Sequence, residues 1–144
     1  MANIFLDTNV IIDFLTDRQP FSLDAAKLFN KVVEGTVTIY ISAISFNNIY
    51  YILRRLLSNN ATIRILEELA ELTKTIAVTD EIIRQSLKTD FGDYEDAIQY
   101  HCALSVPEID FIVTRNTKDF KKSKLSVLTP AEAVISIGLN SKRE

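Results

Sequence analysis

The chain carries one cysteine, Cys102, one histidine, His101, and three glycines. A lone cysteine rules out an internal disulfide and agrees with a reducing compartment. It falls within a helical pattern and reads as a small core hydrophobe. One histidine and no GxSxG leave a serine triad or a histidine-rich metal site without support. Three glycines exclude the GxGxxG and P-loop phosphate cradles. Long apolar runs are missing as well, because Asp13, Asp17, Arg54 and Arg55 interrupt the most hydrophobic stretches. No segment therefore approaches the roughly 20 apolar residues of a membrane span. Nor does a basic segment followed by an apolar run open the chain, which argues against export and for a cytoplasmic protein.

What is present is an ordinary globular composition, 47% hydrophobic and 24% charged over 144 residues, without repeats, linker or low-complexity tract. One domain over residues 1–144 is the expectation. The net charge of −3 argues against indiscriminate nucleic-acid binding, which rests on a surplus of Lys and Arg. Neutralising four carboxylates by bound cations would take that balance to +1, so a nucleic-acid partner stays open.

Short runs rich in β-branched or aromatic residues predict strands at Asn3 to Leu6, Thr38 to Ile41, Thr75 to Val78, Phe111 to Thr114 and Leu125 to Leu128. Helical spacing links Ala25, Ala26, Phe29, Val32 and Val33, then Ile49, Ile52, Leu53, Leu56 and Leu57, then Ile65, Leu66, Leu69 and Ala70. A further helix is expected from about Tyr94 to Ser105, before Pro107. A last helix starts at Thr129-Pro130-Ala131-Glu132, a capping box with proline at the first helical position. The alternation predicts an α/β domain with a mostly parallel sheet of about five strands flanked by helices.

In an open parallel α/β sheet, ligands bind beyond the carboxyl ends of the strands. There the sequence puts Asp7 and Asn9 after the first strand, Asn47 and Asn48 after the second, and Asn116 and Asp119 after the fourth. Asp93 and Asp96, three residues apart, would share a helix face aimed at the same crevice. Carboxylates gathered in this way raise one another's pKa unless a cation neutralises them. Oxygen ligands without thiolate or clustered imidazole suit Mg²⁺ or Mn²⁺ rather than Zn²⁺. Such a site commonly activates water and orients a phosphodiester.

Plainer readings stand beside these. Asp7 and Asn9 are favoured helix caps for the short helix Val10 to Leu15, and Asp96 and Asp93 are first-turn acids favoured by the helix dipole. Asp119 also reads as a surface acid beside lysines. Asp13 and Asp17 read as solvated helix-end charges. Arg115 and Lys118, with Lys121, Lys122 and Lys124, form a cluster suited to phosphates or a solvated charge run. Tyr50, Tyr51, Arg54 and Arg55 would stack on unpaired bases or pack in a core or dimer interface.

Five ordered blocks span nearly the whole chain: "IFLDTNVIIDFL", "YISAISFNNIYYILR", "DFGDYEDAIQYHCA", "DFIVTRNTKDF" and "LTPAEAV". With them the sequence resembles the PIN domain family, especially the VapC-like toxins of bacterial toxin–antitoxin pairs. The resemblance implies a PIN-like three-layer fold and a Mg²⁺- or Mn²⁺-dependent endoribonuclease. It makes Asp7 the first metal-binding acid and Asp96 the third, with Thr114, Asn116 and Asp119 as the fourth corner and Asp93 accessory. Asn9 is expected behind Asp7, holding its carboxylate. The family usually carries a glutamate early in the helix after the second strand, where this chain has Asn48, a neutral ligand or orienter. Position 116 is likewise Asn where many relatives have Asp. The implied partners are RNA, a small antitoxin protein that blocks the site, and a second copy paired through helices rich in Tyr and Leu. The two amides also support a different class, a PIN-like domain that has lost catalysis and binds RNA or a protein. A receiver-like phosphoacceptor fits less well, since Leu125 to Leu128 leads into Thr129 and Pro130 rather than a lysine.

Overall fold

The three central strands of this protein alternate their side chains between two apolar layers, and that period sets the architecture. The computed structural model describes the backbone of residues 1–143 and the side chains of residues 1–139. In chain order the elements are β1 (Ala2–Leu6), α1 (Thr8–Leu15), α2 (Ser22–Val33), β2 (Val37–Ser42), α3 (Ala43–Leu53), α4 (Asn59–Leu72), β3 (Lys74–Ile76), α5 (Asp80–Lys88), α6 (Tyr94–Leu104), β4 (Phe111–Val113), a 3₁₀ turn (Thr117–Phe120), β5 (Ser126–Leu128) and α7 (Pro130–Arg143). The five strands form one sheet in the order β3-β2-β1-β4-β5. Every pairing is parallel.

Ile4 and Leu6 of β1, Ile39 and Ile41 of β2, and Phe111 and Val113 of β4 pack on one face with α1, α2, α3, α4 and α7. Phe5 and Ile112 point the other way, toward Ile82 of α5 and Ile98, Cys102 and Ala103 of α6. Burying both faces requires helices on both, which makes three layers. Cys102 is fully buried, in keeping with a core hydrophobe.

The strand assignments hold to within two residues at each end, and the sheet is parallel throughout. The capping box at α7 forms, with Thr129 N–H donating to Glu132 Oε1 at 2.9 Å and Glu132 N–H to Thr129 Oγ1 at 3.2 Å. Two expectations change. The pattern running through Leu56 and Leu57 breaks after Leu53, because Ser58 caps a new helix by accepting from Ala61 N–H. Leu56 is left 70% exposed in the turn. The second change is α5, a helix beyond those expected, whose buried residues Ile82 and Ser86 stand four apart while the rest are exposed.

Because all strands run the same way, Asp7, Ser42 and Thr114 emerge from the same edge of the sheet. Central β1 has β2 on one side and β4 on the other. The crevice where connections leave in opposite directions therefore lies at its carboxyl end. No helix among the described residues is long and apolar enough to cross a membrane.

Candidate metal centre

Asp7 follows the last residue of β1, so the strand's burial carries it in, and the carboxylate ends up 8% exposed. Its Oδ1 accepts from Thr8 N–H at 2.8 Å, capping α1, while Oδ2 accepts from Thr114 Oγ1 at 2.8 Å. The capping role and the site role thus coexist in one side chain. Asn9 does not hold this carboxylate directly, contrary to expectation. Its Oδ1 faces Arg115 N–H at 3.4 Å and its Nδ2 faces Thr114 Oγ1 at 3.5 Å, so it acts on Asp7 through Thr114. That hydroxyl also accepts from Asn116 N–H at 3.2 Å, bending the chain after β4 toward the cleft.

Above Asp7 opens a cleft of about 500 Å³. Its walls include the carboxylates of Asp7, Asp93, Glu95, Asp96 and Asp119 with the amides of Asn9, Asn48 and Asn116, and among the described residues no lysine or arginine lines it. The sequence-predicted corners meet here. Asp96 sits in the first turn of α6, whose N-cap Asp93 accepts from Asp96 N–H at 3.0 Å. Asp119 lies in the 3₁₀ turn, and Asn48 projects from α3. Glu95 is the residue that sequence reasoning missed as a site member. Asn48 Nδ2 donates to its Oε1 at 2.6 Å across 47 residues of chain. No local signal distinguishes Glu95 from its acidic neighbours; only the approach of α3 to α6 does.

Burial pushes the Asp7 carboxyl up to about 6 from an ordinary 3.8, against the pull of its bonds to Thr114 and Thr8, with repulsion from Glu95 and Asp119 adding to the rise. Asp96 is raised to about 7, by burial first and then by the charges of Asp7, Asp93, Asp119 and Glu95. Glu95 is raised by burial and by Asp93, while its bond from Asn48 pulls the other way. Low-dielectric surroundings and crowding by like charge both disfavour ionisation. A set of oxygen donors held in this state, with no lysine or arginine among the described residues beside them, fits a hard divalent ion by its chemistry. As placed, no three Asp, Glu, His or Cys side chains among the described residues already stand together as a metal-holding group; the acids line facing walls of an open cleft.

Behind the cleft, Thr8 of α1, Ser45 of α3 and Gln99 of α6 form a buried polar triangle. The two hydroxyls lie 2.7 Å apart, and Gln99 Nε2 donates to them at 3.0 Å and 3.2 Å. The second amide atom, Gln99 Oε1, is buried without a hydrogen-bond partner among the described residues.

Two charged residues depart from expectation. Asp13 is no solvated helix-end charge: it is 2% exposed and receives Arg115 Nε at 2.9 Å and Nη2 at 3.4 Å. Arg115 is therefore committed to that pair and to the Phe21 ring, with Cζ 4.6 Å from its centroid. It does not line the cleft as a phosphate ligand would. Asp17 is exposed as expected, accepting from Ser22 Oγ at 2.8 Å. Lys118 stays exposed, and with Lys121, Lys122 and Asp119 it lines an adjoining pocket of about 360 Å³. Lys122 pairs with Asp90 at 3.0 Å. Tyr51 is 69% exposed and lines the cleft, while Tyr50 Oη donates to Asn59 Oδ1 at 2.6 Å.

A family model for the PIN domain matches residues 3–118. Among solved structures, DNA-bound VapBC from Salmonella typhimurium is similar with a TM-score of 0.69 at 15% identity, covering 90% of this chain and 99% of that one. VapBC-1 from nontypeable Haemophilus influenzae gives 0.68 at 19%, with coverage of 90% and 99%. A toxin–antitoxin complex from Klebsiella pneumoniae gives 0.62 at 24%, with 90% and 98%. No curated protein matches. With the family model spanning most of the chain and the same fold recurring in these complexes, the chain belongs to the PIN domain family.

Proposed function

We propose that this protein is a Mg²⁺- or Mn²⁺-dependent endoribonuclease, the VapC-like toxin of a toxin–antitoxin pair, acting in the cytoplasm as a single PIN domain over residues 1–144. The observation that carries the reading is the cleft itself: acidic groups from the end of β1, α6 and the 3₁₀ turn face one space that no lysine or arginine among the described residues lines. A divalent ion bound there would supply Lewis-acid activation of water and neutralise charge developing on a phosphodiester. Asp7, Asp96 and Asp119 would hold it, with Asn48 as a neutral ligand or orienter. Thr114 fixes the Asp7 carboxylate through its 2.8 Å bond, and Asn9 and Asn116 support Thr114 in turn. Lys118, exposed beside Asp119, is suited to draw the phosphate backbone of RNA toward the cleft.

The toxin role draws on the structural likeness to VapBC and other toxin–antitoxin complexes. By that likeness a small antitoxin would cover the cleft, and two copies would pair through the helices rich in Tyr and Leu. The test is incubation of the purified protein with RNA and Mn²⁺ beside Asp7→Asn and Asp96→Asn variants. Cleavage by the wild type, lost in both variants and in EDTA, is the expected result. A second reading, a PIN domain that binds RNA or a protein without cutting, is favoured by the amides at Asn48 and Asn116 on the cleft wall. Intact RNA in every lane, with RNA or partner binding retained, would establish it instead.

A further inference from the structure

Three walls of the cleft present their own carboxylates, Asp7 at the end of β1, Asp96 on α6 and Asp119 on the 3₁₀ turn, whereas α3 lines it with the amide of Asn48, Tyr51 and Ile52 and offers no carboxylate. That amide is not idle. Its Nδ2 donates to Glu95 Oε1, the orientation that an ionised carboxylate can accept. At 2.6 Å the bond joins α3 to the second residue of α6. An acid in place of Asn48 would repel Glu95 from this position; the amide holds it there. Asn48 and Glu95 together therefore carry one negative charge on the α3 side of the cleft.

We infer that Glu95 supplies the fourth carboxylate toward the divalent cation, and that Asn48 is the positioning residue that turns it into the cleft. The inference rests on the metal-dependent reading above. A first-turn acid is also favoured by the dipole of its helix, and Asp93 already caps α6 by accepting from Asp96 N–H. Neither role needs a partner on α3, and neither explains why the Glu95 side chain crosses to meet one. The Asn48 bond uses Oε1 and leaves Oε2 available as a hard oxygen donor. In this chain the charge on the α3 side of the site is carried by α6, one residue before Asp96.

The test is Mn²⁺ binding by titration calorimetry to the metal-free full chain, with Mn²⁺-induced change in melting temperature as a second readout. Four proteins are compared: wild type, Asp7→Asn, Glu95→Gln, and the double variant Asn48→Glu with Glu95→Gln, which returns the charge to α3. Glu95→Gln is isosteric and relieves the burial of charge and the crowding by Asp93 that raise the Glu95 carboxyl, so its metal-free melting temperature should equal or exceed that of the wild type. The expected result is a loss of Mn²⁺ affinity of about tenfold or more in Glu95→Gln, most of which the double variant recovers. Wild-type affinity in Glu95→Gln, while Asp7→Asn loses the ion, overturns the inference and leaves the metal reading standing. A loss in Glu95→Gln that the double variant does not recover also overturns it, because the charge would then not be transferable between the two helices. A wild type that binds no Mn²⁺ overturns the metal reading and this inference together.

Discussion

Helix α1 begins and ends near two buried aspartates that the fold treats in opposite ways. Asp13, 2% exposed, receives a guanidinium in a two-point pair from Arg115, and the Phe21 ring covers that cation. Asp7, 8% exposed, receives a backbone N–H and the hydroxyl of Thr114, and the charged residues that share its cleft among those described are all acids. Removing a carboxylate from water is costly unless a counter-charge is at hand. At Asp13 the chain provides that charge from within. At Asp7 it does not, and the carboxyl is raised to about 6. A buried acid whose counter-charge is part of the polypeptide serves the structure, and one whose counter-charge must come from solution serves a ligand.

Arg115→Ala should give the largest effect. It strands the Asp13 charge in the interior and should cost about 3 kcal/mol in urea-induced unfolding, with Mn²⁺ affinity per folded molecule little changed. Asp7→Asn should do the reverse, gaining about 1–2 kcal/mol in metal-free protein at pH 7.5 while abolishing stabilisation by Mn²⁺. If both substitutions destabilise equally, the contrast between the two aspartates is broken.

The pH dependence sharpens the same contrast. The carboxyls of Asp7 and Asp96 titrate higher in the folded chain than their ordinary 3.8, to about 6 and about 7. Across that window the folded state binds more protons than the unfolded state, so their contribution is most favourable below pH 4 and is lost as pH rises toward 7. Denaturation of wild type and Asp7→Asn in EDTA should therefore show a gap in stability that widens in favour of the variant from pH 4 to pH 7. A gap independent of pH would mean that burial of the Asp7 charge is not what the variant relieves. The smallest effect is expected from Asp93→Ala, which removes the cap of α6 and should cost about 1 kcal/mol in unfolding, with a minor change in Mn²⁺ affinity.

Much of this was readable in the sequence because it depends on periods and strand ends. Alternation in Ile4, Phe5 and Leu6 announces a strand buried on both faces, and parallel strands necessarily send Asp7 and Thr114 out at one edge. Asp7, Asp96, Asp119 and Asn48 could thus be assembled without coordinates. What escaped were pairings between side chains whose separation along the chain carries no pattern. Arg115 lies beside lysines and resembles them until Asp13, 102 residues away, claims its guanidinium. Glu95 looks like one more acid at a helix start until Asn48 reaches it from α3. The end of α3 at Leu53 was hidden for a different reason, since the apolar spacing continues into a turn that the Ser58 cap interrupts.

The triangle of Thr8, Ser45 and Gln99 ties together three helices, each of which carries a wall residue a few positions along: Asp7 just before Thr8, Asn48 three after Ser45, Asp96 three before Gln99. It works as a tripod under the opening. Widening the mouth by sliding one leg would break two buried hydrogen bonds at once, so the three walls keep their spacing, and adjustment to a guest falls to the acidic side chains above them.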